Sequence, residues 1–177
     1  MQPFKNPKPV KFFLSFLYPT GFSYDAFLGQ ASEKWGPHDL FYADLSFHHT
    51  TYYEAEMGKN LLRGIVGFKK MMGRETLKEM KQWAMTCEQR FQKSNGSRVI
   101  NIDPGYVNDA QLVLATRKNF SHRIYLGEGI FADLTLFYKN GAFQSLPWTY
   151  PDYAEQPLKG MIDEMRKDYL RRILCTN

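Results

Sequence analysis

The chain has 177 residues, of which 44% are hydrophobic, 23% charged and 16% aromatic. That balance excludes disordered and fibrous classes, and the length fits a single domain, 1–177, able to bury roughly 70% of its unfolded surface. Lys and Arg number 23 against 18 acidic residues, a formal charge of +5; this suits an anionic ligand and falls short of the concentrated basic patches of nucleic-acid binders.

A proline-bearing leader (Pro3, Pro7, Pro9) precedes an apolar run from Val10 to Leu17, which reads as a strand buried on both faces and ended by Pro19 and Gly21. Lys8 and Lys11 before this run imitate a secretory signal, but the run is too short and lacks a small-residue cleavage pattern. Tyr24, Phe27, Leu28, Ala31 and Trp35 recur at helical spacing up to Gly36-Pro37. Leu40–Phe47 and Leu61–Lys69 are rich in strand formers, with a long polar and aromatic loop, 48–58, between them. Leu77, Met80, Ala84, Cys87 and Phe91 place one stripe on a helix over 74–91, and a strand from Arg98 to Asp103 is expected to stop at Pro104-Gly105. This βαββαβ order is that of ferredoxin-like folds.

Four strands follow, at 111–116, 120–126, 130–138 and 142–148. They read as an antiparallel meander, with Asn140-Gly141 and Gly127-Glu128-Gly129 supplying reversals. Leu158, Met161, Ile162, Met165, Tyr169 and Ile173 form the stripe of a closing helix over 157–174. The fold class is therefore α+β, with a mixed, mostly antiparallel sheet. No stretch reaches the ~20 apolar residues that span a bilayer. With two cysteines, Cys87 and Cys175, and no Cys-x-x-Cys pair, reduced thiols and a cytoplasmic location are expected, with no membrane partner.

Four segments carry a more specific signal: Tyr52-Tyr53-Glu54-Ala55-Glu56-Met57-Gly58; Asn101-Ile102-Asp103-Pro104-Gly105-Tyr106; Leu112–Thr116 through His122-Arg123-Ile124-Tyr125-Leu126; and Trp148-Thr149-Tyr150-Pro151-Asp152-Tyr153. In this order and spacing the chain resembles the uncharacterised bacterial family called domain of unknown function 4416, over nearly its whole length. The resemblance implies an intracellular bacterial protein of about this size and hands over no catalytic residue or cofactor. Some members of that family are labelled GTP-binding. A P-loop needs Gly-x-x-x-x-Gly-Lys-Ser/Thr so that backbone N–H groups cradle phosphates and a hydroxyl holds Mg²⁺. Here Tyr53 stands five residues before Gly58, and Asn60 takes the hydroxyl position. Thr116-Arg117-Lys118-Asn119 likewise departs from the Asn/Thr-Lys-x-Asp run of guanine readers.

The candidate site residues are His122, Arg123 and Tyr125 on one strand, with the turn that carries Asp103 and Tyr106. Neighbours on a strand point to opposite faces, so only one of His122 and Arg123 is expected to line a given pocket unless the strand bulges. The competing reading is a structural Arg–carboxylate pair. Tyr52, Tyr53 and His49 from the long loop, and Trp148 and Tyr150 from the last segment, are candidate ring contacts, against the alternative of an aromatic clasp over the sheet edge. His48 and His49 beside Asp44, Glu54 and Glu56 lack metal-ligand spacing, so no metal is assigned.

The first expectation is a binding or accessory protein for a small anionic ligand such as a nucleotide or phosphorylated metabolite. The second is a metal-assisted hydrolase or transferase on a phosphate ester, with His122 as acid or base and Asp103 or Glu56 orienting it. The third is a protein-interaction module. Nucleic acid is not an expected partner, because no RNP-like pattern is present. Enzymatic activity and oligomeric state stay open.

Overall fold

The computed structural model describes residues 6–175; Pro3 of the leader lies outside them. Strand β1 (Val10–Pro19) is buried almost throughout because it runs through the middle of an eight-stranded sheet covered on both sides. Its alternate residues serve two cores. Phe12, Leu14, Phe16 and Tyr18 pack with Phe27, Ala31 and Trp35 of α1 (Asp25–Trp35) and with Leu77, Met80, Ala84 and Cys87 of α3 (Thr76–Arg90). On the opposite face Phe13 joins Leu112, Leu114 and Leu136 beneath Leu158, Ile162 and Met165 of α5 (Leu158–Leu174). Burying a side chain of this size stabilises by ~1.5–3 kcal/mol, so the two faces of β1 together weld three layers.

The first half has the expected ferredoxin-like order. β2 (His38–Ser46), β3 (Leu61–Met72), β1 and β4 (Asn101–Val107) lie side by side, all antiparallel, with α1 and α3 as crossovers. A four-residue helix, α2 (Glu54–Met57), sits in the long β2–β3 connection. The four later strands are β5 (Gln111–Thr116), β6 (Arg123–Gly127), β7 (Ile130–Lys139) and β8 (Ala142–Ser145). They are antiparallel as expected, but chain order is not spatial order. β5 pairs with β7, while β6 and β8 share the other edge of β7, opposite its two halves. The hairpin turns explain this: Asn140 and Gly141 both take positive φ (53° and 82°), the type I′ geometry that folds β8 back on β7.

Three strand ends near the site differ from the sequence reading, and β4 also begins at Asn101 rather than Arg98. β4 does not stop at Pro104-Gly105 but runs through both to Val107. β6 begins at Arg123, which leaves Phe120 and His122 in the preceding turn. β8 ends at Ser145, so Trp148 is outside it, and Pro151 opens a short helix, α4 (Pro151–Ala154), where its fixed φ and missing N–H cost nothing.

Two points test this packing. A Cβ added at Gly105 would come within 2.7 Å of both Leu114 Cδ2 and the Phe13 ring, so Gly105→Ala should destabilise by about 1–3 kcal/mol in urea unfolding. On the α5 side, Lys11 is 1% exposed, and its Nζ lies 2.8 Å from Asp39 and 2.9 Å from Asp168, with Arg172 also reaching both carboxylates. Lys11→Ala should cost about 3 kcal/mol in the same measurement, since it leaves two carboxylates short of a buried partner.

Candidate functional site

The sheet is forked. β4 pairs with β1 along its whole length, from Asn101 to Val107, yet with β5 only from Gly105 onward, at Gly105↔Leu114, Tyr106↔Val113 and Val107↔Leu112. Backbone groups of alternate residues on an antiparallel strand face the same neighbour. Ile102, Pro104 and Tyr106 share that parity, and Pro104 has no N–H to offer β5. Beyond it the two strands part.

At Ile102 the freed backbone is satisfied by side chains of α3. Its N–H donates to Glu88 Oε1 at 2.6 Å, and its C=O accepts from Lys81 Nζ at 2.8 Å. The gap left between β4 and β5 widens into a cleft of about 720 Å³, within the usual range for small-molecule sites. Its remaining walls are the 47–56 segment, the chain just after β5 and the α4 region.

Most charges in the cleft are spoken for. Lys81 Nζ lies 3.0 Å from Asp103, whose second oxygen accepts from the Asn101 amide at 2.8 Å. Arg98 grips Glu56 with two parallel bonds, 2.8 and 2.7 Å, and donates to Asn101 at 2.9 Å. Arg63 pairs with Asp152 and Ser15, its guanidinium lying between the rings of Phe47 and Tyr153. Burial by itself would raise the Asp103 carboxyl, but Lys81, Arg63 and the Asn101 amide outweigh it and hold the group below its ordinary value. Arg98 holds Glu56 down through its hydrogen bonds. Glu88 moves the other way: burial lifts it, and Lys81, the Ile102 N–H and Arg98 offset only part of that.

Arg117 and Lys118 at the mouth are different. Among the described residues neither has a carboxylate partner, and the Lys118 ammonium stands 4.1 Å over the ring of Tyr52. Tyr53, Tyr150, Phe47 and His49 complete the ring-bearing part of the lining. Burial raises the pKa of both Tyr53 and Tyr150, which keeps their hydroxyls neutral hydrogen-bonding groups.

The sequence-derived site residues divide between the cleft and its surroundings. His49, Tyr52, Tyr53, Glu56, Asp103 and Tyr150 line it. Tyr106 does not: it is 7% exposed and packs edge-on against Phe12 in the α1/α3 core. His122 and Arg123 meet at one group after all, because His122 precedes the strand. Both bind the buried Asp133 carboxylate, at 3.2 and 2.8 Å. His122 also stacks on Trp148 at 4.6 Å, and Arg123 donates to the Tyr150 hydroxyl at 3.0 Å. The pair thus stands behind Asp133, which itself reaches the cleft. Tyr125 is exposed on the outer strand beside Phe131. His48 stacks on His49, and the described residues contain no group of three or more His, Cys, Asp or Glu placed to hold a metal.

Lys81, Glu88, Arg98, Asp133 and Asp152 were not singled out by sequence reasoning. For the first two a signal existed: each directly follows an apolar stripe residue of α3, Met80 and Cys87, and they stand seven apart with opposite charge. That spacing puts both on one helix face at the border of the buried stripe.

The family model described as Domain of unknown function (DUF4416) matches residues 8–169. The chain belongs to this family. No curated protein and no solved structure matches the chain. The matched span includes every charged residue that lines the cleft, so the fork and its ion pairs lie wholly within the family's domain. No helix of the described residues is long and apolar enough to cross a membrane.

Because Glu56 and Asp103 are held below their ordinary values of 4.5 and 3.8, their ionised forms favour the folded state. This contribution is complete above those values and is lost as pH falls through the lower folded-state pKa values. Glu56→Gln should flatten the fall in thermal stability between about pH 5 and pH 3, as followed by circular dichroism.

Proposed function

We propose that the protein binds a small anionic ligand carrying an aromatic ring, such as a nucleotide or a phosphorylated metabolite, in the cleft between β4 and β5. The observation that carries this reading is the pair Arg117 and Lys118. They are cations at the mouth of a ligand-sized hollow, without carboxylate partners among the described residues, beside the rings of Tyr52, Tyr53 and Tyr150. An Arg can hold a phosphate through two parallel hydrogen bonds, and a nearby ammonium adds a point charge. The tyrosine rings supply faces on which a planar group can stack.

The inner cations do not compete for that anion, because Lys81, Arg98 and Arg63 are each engaged by Asp103, Glu56 and Asp152. A hydrolase that used His122 as acid or base finds less support in the geometry. That imidazole is stacked on Trp148 and bonded to Asp133, and its side chain is only 8% exposed. A cytoplasmic location fits the ligand class and the reduced state expected of Cys87, which is buried among apolar groups that push its pKa up to about 11.

Thermal-shift titration with inorganic phosphate, ribose 5-phosphate and nucleoside monophosphates tests the proposal. At least one phosphorylated compound should raise the melting temperature, and the double variant Arg117→Ala/Lys118→Ala should weaken its binding by roughly tenfold or more, the scale of a lost charge-assisted contact. Equal stabilisation of wild type and variant, or none by any of the compounds, would remove the basis of the reading.

A further inference from the structure

The cleft is chemically lopsided, and this narrows the ligand class. At the mouth stand donors without carboxylate partners. On the opposite bank, formed by α3 and β4, stand the carboxylates of Glu88 and Asp103, and three of the five carboxylates that line the cleft have both oxygens hydrogen-bonded. Glu56 takes Arg98 on both of its oxygens. Asp103 takes Lys81 on one and Asn101 on the other. Asp152 accepts the Tyr153 N–H on one oxygen, while its other is buried beside Arg63 as an ion pair without a hydrogen bond, and Asp133 takes Thr135 on one oxygen and Arg123 with His122 on the other.

Glu88 alone among them has no donor within hydrogen-bond distance of its second oxygen. Its Oε1 is used by the Ile102 N–H, but the nearest cation to Oε2 is Arg98 Nη1 at 3.7 Å, outside hydrogen-bond reach. A half-satisfied carboxylate that lines a cleft offers an acceptor to a ligand's donor, since leaving such a group unpaired on burial by a ligand is unfavourable. Gln89 on the same helix and Gln92 just past its end also line the cleft and carry amides that donate and accept.

We propose that Glu88 is a specificity-determining residue. On this account the ligand is a nucleotide-like molecule whose anionic group sits at Arg117 and Lys118, and whose ring presents an amino or ring N–H donor to Glu88 Oε2. The inference rests on the anion-binding reading of the same cleft and adds to it the polarity of the ligand's other end. A ring with acceptors only would face Oε2 across an unbridged gap, and discrimination against the analogue that lacks one hydrogen-bonding group is where buried polar sites are most selective.

Two probes differing by a single amino group separate the cases: adenosine 5′-monophosphate and purine riboside 5′-monophosphate. They would be titrated by calorimetry into the full chain, into Glu88→Gln and into Arg117→Ala/Lys118→Ala. Gln keeps an oxygen for the Ile102 N–H and converts the other position to a donor, so the fold is spared while the acceptor is lost. The expected result is tighter binding of the amino-bearing probe by wild type, by roughly tenfold, with that preference abolished in Glu88→Gln and both probes weakened in the double variant.

Equal affinity of wild type for the two probes, or equal weakening of both by Glu88→Gln, would overturn the role of Glu88 while leaving anion binding intact. Failure of both probes and of inorganic phosphate to bind wild type would overturn the anion reading and this inference together. Should Glu88→Gln not fold, the wild-type comparison of the two probes still decides.

Discussion

The cleft depends on Pro104 and on its parity along β4. A residue at that position faces β5, and to continue the ladder toward Ala115 and Thr116 it must offer an N–H. Proline cannot, so the sheet keeps its β1–β4 seam, loses its β4–β5 seam and opens at one end. Gly105 beside it solves the complementary problem, since Leu114 and Phe13 crowd the backbone where pairing resumes. The two residues place the boundary between closed sheet and open cleft within a single peptide unit.

Opening a sheet in its interior creates a debt of unpaired backbone groups, which in a half-buried place cost about 1–3 kcal/mol each if nothing replaces the lost partner. Here Lys81 and Glu88 cap both groups of Ile102, one as donor and one as acceptor. That explains why charged residues stand at the margin of an otherwise apolar helix face. It also explains the ion-pair chain, because each buried charge that caps backbone needs an opposite charge of its own. Lys81 recruits Asp103, Asp103 recruits Asn101, and Asn101 accepts from Arg98, which grips Glu56 on the far side of the opening. The 47–56 segment, whose Phe47 N–H donates to the Leu61 carbonyl of β3, is thereby tied to the sheet a second time through α2.

The architecture was readable because it is periodic. The unbroken apolar run of β1, the three-and-four spacing of α1, α3 and α5, and the Asn140-Gly141 turn each carry their information within a few residues. The site was readable only in part. His49, Tyr52, Tyr53, Glu56, Asp103 and Tyr150 reach the cleft, and all come from the irregular or strand-end segments that composition marks out. Tyr106 went astray because Pro104-Gly105 looked like the end of a strand; once β4 continues, Tyr106 falls on its helix-covered face. His122 and Arg123 converge because alternation holds only in extended backbone, and His122 sits in the turn before β6. Asp133 was invisible for a further reason: its importance comes from what β6 and the Trp148 segment bring to it, and pairing across strands is not written in local spacing.

What distinguishes the mouth from the interior of the cleft is whether each charge has been answered. In the interior every cation has its carboxylate, and Asp133 is paired from behind by Arg123, with His122 as a second hydrogen-bonding partner, rather than by a cation of the lining. That arrangement frees the lining from supplying a partner to Asp133, and the surplus appears where the chain leaves β5, at Arg117 and Lys118. The single contact that bridges the mouth, Lys118 over the Tyr52 ring, is a cation–π interaction worth about 0.5–1 kcal/mol at an exposed site. An anion that claims Lys118 loses little by displacing it, whereas displacing Lys81 or Arg98 would expose a buried carboxylate. On the proposed reading, the ion pairs that satisfy the fork leave Arg117 and Lys118 as the place for an incoming charge.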